Sequence, residues 1–385
     1  MAMGMAHMLE HYMVGHLKQK YIRDHFMVGG SISNSFTNFY LISSTRQLLL
    51  DLQIFLSGIF RPEFSDKTIF EYELKAVRNE IAEKKHDIES QIFDVISKKI
   101  FLGDCPYRAA NNEKNKYFEK FTLHDIQQFY LKDFSTIEPL FVIGGYNIND
   151  RLLKEVIILI REFLPQRLHL FNHFNFPKCI PRSFNVEAIK NKNIKSGAYS
   201  VFTFPGFSMQ DHDFRLRMGL HVLLKILTGS SPFGLSIETR KLGIYNISYK
   251  NIMRPRIGIV SLFSFTENNQ IFALAKLIKD HIDLLKKDLI NEQYISKIVN
   301  DAKNKQKAIW ENNENKYNWI IDDFKYLKFN INITAEKKIL DSITPQFLRE
   351  IANTIFNWRK FNMFVIYNDI NNPQIGKIKK IFQNN

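Results

Sequence analysis

Apolar and polar positions divide the chain into helical and extended stretches. Residues 5–17 are rich in Ala, Met and Leu behind a helix-breaking Gly4, which predicts a helix. Residues 27–43 alternate with period two (Ile32, Asn34, then Phe36, Asn38, Tyr40) and read as a strand region. Gly29 and Gly30 there allow a turn or a close backbone approach. Residues 46–60 carry Leu48, Leu49, Leu52, Phe55, Leu56 and Ile59 on one side of an amphipathic helix. After Pro62 and Ser65-Asp66, residues 67–101 predict a helix or a helix pair. Thr122 caps a further helix, with Asp125 in a weaker variant of the capping box. Residues 141–145 predict a central strand and 149–164 a helix. Pro-bearing residues 166–190 read as a linker. Beyond it, strands are expected at 198–204 and 257–265, and helices at 211–227, 268–287 and 290–310. Thr344-Pro345 opens the last helix and 361–367 the last strand, which echo the Thr122 helix and the 141–145 strand.

The expected fold is therefore α+β, with two homologous domains, each an antiparallel-rich sheet with helices packed on one face. The first spans 1–165 and the second 191–385. A length of 385 residues and a 45% hydrophobic content suit two cores of ordinary size. The longest apolar runs fall short of the roughly 18 residues a membrane helix needs, so no membrane contact is expected. The net charge of +14 comes from scattered lysines such as Lys18, Lys20, Lys84, Lys85, Lys98 and Lys99, which argues against nucleic acid. Cys105 and Cys179, far apart, suggest no disulfide framework and no metal pair, which fits a reducing, cytoplasmic location.

Candidate chemistry concentrates in the first helix. His7-Met8-Leu9-Glu10-His11 reads H-x-x-E-H. On a helix, His7 and His11 leave one face a turn apart, as two ligands of one divalent metal do, and Glu10 lies beside them as a candidate base. Catalytic zinc takes three protein ligands and keeps one position open. Glu73 and Glu80, seven apart in a strongly helical run, offer the third: one can ligate while the other supports it. The methionines of this helix could suggest copper, but they read better as core.

These motifs resemble the M16 metallopeptidases, the pitrilysin, insulin-degrading enzyme and mitochondrial processing peptidase group. The resemblance extends to Gly29-Gly30 with Asn34, Ser35 and Thr37, to Pro106-Tyr107, and to the run from Thr122 to Tyr130. It implies Zn2+ held by His7, His11 and Glu80, with Glu10 as general base and Glu73 supporting the site. It further implies that Asn34 and Ser35 face an extended peptide substrate added to the strand edge. Laid ungapped on 237–245, the family's substrate-binding arginine and tyrosine give a match at Tyr245. The arginine position holds Glu238, and Arg240 is the nearest substitute. The family carries several dozen residues ahead of its motif, so His7 implies either an upstream start or a first sheet lacking its edge. The implied activity is zinc-dependent endopeptidase; the alternative is a catalytically silent subunit that partners an active homologue. Because the resembling enzymes enclose substrate with four such domains, a homodimer or a heterodimer with a related chain is expected.

Overall fold

The structure is a computed structural model and describes residues 4–21, 26–32, 36–84, 87–103, 105–108, 118, 120–164, 179–209, 213–254, 256–312, 315–317, 320–321, 333–368 and 374–383. It divides into two compact units. Residues 1–95 and 109–175 form one, and residues 96–108 and 176–385 form the other.

The first unit is built around helix α1 (Met5–Lys20). Met8, Leu9, Tyr12, Met13 and Leu17 are all buried, so Met8 and Met13 serve as core. The Tyr12 hydroxyl donates to the Glu63 carbonyl at 2.8 Å, which satisfies its polar tip inside that core. Strands β1 (Met27–Ile32) and β2 (Thr37–Ile42) pair antiparallel from Met27↔Ile42 to Ile32↔Thr37, and β1 packs on α1. Helix α2 (Leu48–Phe60) follows, then α3 (Lys67–Lys84) and α4 (Ile88–Ile100), of which Ile96–Ile100 already belong to the second unit, so the expected helix pair is present. Helix α5 (Leu123–Phe129) starts at a complete capping box: Thr122 accepts from the Asp125 backbone and Asp125 accepts from that of Thr122. Helix α6 (Asp150–Phe163) packs Val156, Ile160 and Phe163 with Leu52 and Leu56 of α2.

Residues 141–145 are not a strand. A strand needs a neighbour for its amides and carbonyls, and among the described residues this segment has none. The sheet of the first unit is accordingly two-stranded in the described residues.

The second unit holds short strands β3 (Phe101–Leu102) and β4 (Ile180–Pro181), paired antiparallel. Its main sheet contains β5 (Asn185–Lys190), β6 (Ala198–Gly206), β7 (Ile247–Arg254), β8 (Ile257–Thr266) and β9 (Asn362–Tyr367), in the order β5-β9-β6-β8-β7. Only β5 with β9 is parallel. Helices α7 (Phe214–Thr228), α8 (Ser236–Lys241), α9 (Ile271–Lys287), α10 (Glu292–Glu311), α11 (Ile333–Asp341) and α12 (Pro345–Ile355) accompany it. Phe202, Phe204, Leu223, Leu227, Ile278 and Leu348 belong to its buried core. The α+β class is as expected, with two differences in detail. The sheet already begins at β5, inside the stretch read as linker, because Val186 supplies core surface. A further helix, α13 (Ile375–Gln383), follows β9 and buries Ile378 and Phe382, so the Thr344 helix is not the last.

The cysteine reading is corrected outright. Cys105 and Cys179 form a disulfide, with Cα atoms 5.1 Å apart and both residues buried. The β3–β4 pairing brings them together across a sequence separation of 74. Such bonds persist in oxidising compartments, so a cytoplasmic location loses the support it drew from unpaired cysteines. Among the described residues no helix is long and apolar enough to cross a membrane.

A bond closing so long a loop restricts the unfolded chain strongly. Cys105→Ser with Cys179→Ser should lower stability by about 2–4 kcal/mol. Denaturant unfolding with and without reductant checks this: reductant should shift the midpoint of the parent chain and leave the double variant unchanged.

Candidate metal centre

The H-x-x-E-H segment lies in α1, and α3 packs along that helix. Helical spacing sends His7 and His11 from one face of α1, with ring centroids 4.9 Å apart. The seven-residue spacing of α3 sends Glu73 and Glu80 from one face, two turns apart, towards the two nitrogens of the His11 ring. Glu80 Oε2 stands 3.3 Å from Nε2 of His7 and 3.3 Å from Nε2 of His11. Glu73 Oε2 stands 3.1 Å from Nδ1 of His11. Ligand atoms of His7, His11 and Glu80 all lie within 4.8 Å of one another. Glu10 Oε2 is 4.0 Å from Nε2 of His11. Five sequence-selected side chains are thus brought together in one place.

This donor set fits a divalent metal. Two imidazoles and a carboxylate are a known ligand combination for zinc. Glu73 accepts from His11 Nδ1, so loss of the Nε2 proton would leave a lone pair on the Glu80 side, the tautomer a ligating histidine needs. Exposures grade through the site: the Glu80 side chain is 34% exposed and that of Glu10 only 8%. The ligands can therefore meet solvent while the candidate base is shielded from it.

Burial is the main reason the Glu10 carboxyl is pushed above its ordinary range; Glu80 and Glu73 push the same way, and His11 partly opposes them. For His11, burial favours the neutral ring. The Glu73 hydrogen bond and the charges of Glu10, Glu73 and Glu80 outweigh it, and the net shift is upward.

Asn34 and Ser35 lie outside the described residues. Tyr245 and Arg240 belong to the second unit. Tyr245 is 89% exposed just before β7, and Arg240 is exposed near the end of α8. The sequence reading missed Phe118, buried edge-on to the His7 ring at 5.8 Å; no spacing rule connects it to the motif.

No protein-family profile matches the chain, and no curated protein matches it. Solved structures do match. A protease from Helicobacter pylori gives a TM-score of 0.71 at 16% identity, covering 95% of this chain and 89% of that one. A structure from Pseudomonas fluorescens, described as a peptidase M16 inactive domain, gives 0.70 at 13% identity over 96% and 88%. A chain of complex III2 from Candida albicans gives 0.75 at 9% identity over 98% and 89%. The chain has the M16 peptidase fold. At these identities the likeness is one of fold, and the M16 fold is seen here in a protease, an inactive domain and a chain of a larger complex. Function must therefore be argued from the site.

The buried Glu10 carboxylate should destabilise the metal-free chain. Its folded-state pKa is raised, so stability falls as pH rises from about 4.5 through that value. Glu10→Gln removes this penalty. Thermal melts in chelator should show a higher Tm than the parent at pH 8, with the gain vanishing below about pH 4.5.

Proposed function

We propose that this chain is a zinc-dependent endopeptidase acting on extended peptides. The observation that carries the reading is the convergence of His7, His11 and Glu80 with the shielded Glu10 beside them. His7 and His11 would bind through Nε2 and Glu80 through Oε2, while Glu73 orients the His11 ring through Nδ1. Zinc bound there would supply Lewis acidity, polarising the scissile carbonyl and acidifying water. Glu10 takes the proton of the attacking water on its carboxylate and returns it to the leaving amine. Burial raises its proton affinity, which suits a group that must accept and then donate.

β1 supports the proposed substrate class. It pairs with β2 on one side only among the described residues. An extended peptide can complete such an edge with its main chain. Asn34, Ser35, Tyr245 and Arg240 are the proposed peptide contacts.

A silent partner subunit is the second reading, favoured by the inactive M16 domain and the complex III2 chain that share the fold. Two variants separate the readings. The parent chain should take up one zinc and cleave a quenched fluorescent peptide. Glu80→Gln should lower zinc occupancy. Glu10→Gln should keep the metal and lose at least ~10²-fold in turnover. A chain that binds zinc yet cleaves no peptide would leave the silent-subunit reading in place.

We also propose that the chain works as a dimer, of itself or with a related chain, so that the site is enclosed and its electrostatics strengthened. Exposed Ile42, Tyr146 and Ile158 on the first unit are apolar surface of the kind partners cover. Light scattering at micromolar concentration should report about twice the 45.4 kDa chain mass for a homodimer. Full activity at dilutions where only monomer survives would refute enclosure and leave the chemistry standing.

A further inference from the structure

Two glycines occupy the places where the Glu73 and Glu10 side chains meet the backbone. Gly15 is buried in α1, one turn beyond His11. A Cβ built on it would run into Oε1 of Glu73, 2.6 Å from that residue's Cδ and 2.7 Å from its Cγ. Gly30 lies in β1, opposite Phe39. A Cβ there would run into Oε1 of Glu10, 2.7 Å from its Cγ and 2.8 Å from its Cδ. In each case the nearest three atoms all belong to the one glutamate, and carbon contacts this short do not occur.

Neither glycine has a positive φ, so the backbone conformation does not require them. In a helix interior glycine is about 1 kcal/mol worse than alanine. Propensity therefore argues against glycine at position 15, and the occupied space argues for it. To make room for an added methyl group the Glu73 carboxylate must move, and its other oxygen is the one at 3.1 Å from His11 Nδ1.

We propose that Gly15 and Gly30 are positioning residues: Gly15 seats Glu73 so that it orients His11, and Gly30 seats Glu10 beside the ligand cluster. The seating of Glu73 is a property of the metal-free chain; its effect on zinc rests on the function proposed above. Adding one methyl group should act through the glutamate it displaces and through nothing else. Gly15→Ala should thus resemble Glu73→Ala, and the two together should be no worse than Glu73→Ala alone, since shared effects do not add.

The first test uses the metal-free chain with 15N-labelled histidine. In the parent, His11 Nδ1 should give the signal of a protonated nitrogen hydrogen-bonded to Glu73. Gly15→Ala should disturb that signal as Glu73→Ala does, with no further change in the double variant. The second test is zinc affinity by chelator competition. Gly15→Ala should bind about 10–100-fold more weakly than the parent, and in the Glu73→Ala background it should change nothing. For Gly30, Gly30→Ala should lower the Tm of the metal-free chain in the parent background but not in the Glu10→Ala background. If Gly15→Ala leaves the His11 signal unmoved, or weakens zinc equally in both backgrounds, the proposal is overturned. Should Gly15→Ala fail to fold while Gly15→Ala/Glu73→Ala folds, the clash is located at Glu73 and the proposal is supported. A parent that binds no zinc but shows the paired His11 response would overturn the metal reading and uphold the seating of Glu73.

Discussion

The packing of α3 along α1 is the constraint on which the candidate site depends. The motif on α1 supplies two imidazoles and a carboxylate, but two imidazoles do not make a catalytic metal site. The third donor and its support come from a helix more than 60 residues away in sequence, at ion-pair separations of 62 and 69. Close approach of the helices sets the distances from Glu73 and Glu80 to the imidazoles. Buried Val77 and Ile81 on α3, in one core with Met8, Leu9 and Tyr12 of α1, hold the helices at that separation. The hydrophobic contact is non-directional; the direction comes from the side chains that the two helical periods place at its rim.

That division explains what the sequence made legible. Helical periodicity is local, so His7, Glu10 and His11 could be placed on one face, and Glu73 and Glu80 on another, before any tertiary information. Glu80 lies near both imidazoles and Glu73 near His11 Nδ1, which that spacing allows; which of the two glutamates would ligate was given only by the family resemblance. Gly30 was visible only as a place for a turn or a close backbone approach, and Gly15 drew no reading. Their bearing on the carboxylates is a matter of volume between segments, which no pattern along one segment encodes. The disulfide was hidden for the same reason: it depends on β3 and β4, strands of two residues each, too short to produce a periodic signal.

The strand expected at 141–145 shows the opposite failure. Its apolar character is real, and Phe141 packs against the α2–α6 cluster. Apolar content predicts burial, whereas strand structure also requires a neighbour's hydrogen bonds. Conversely, Asn185–Lys190 lies in a stretch with prolines nearby and little alternation, yet it is a strand because β9 lies alongside it. Each element was decided by a partner remote in sequence.

The position of β9 carries a consequence for how the second unit is made. Strands β5 and β6 are translated early, but they do not pair with each other; β9, some 160 residues beyond β6, lies between them. Until it is synthesised, both strands expose open hydrogen-bonding edges, the surfaces through which nascent chains aggregate. The parallel β5–β9 and antiparallel β6–β9 ladders are among the most non-local in the chain, and contacts of that span fold slowly. Closure of the sheet in the second unit thus waits for β9, and a chain stopped short of Asn362 would leave β5 unpaired and β6 with an open edge.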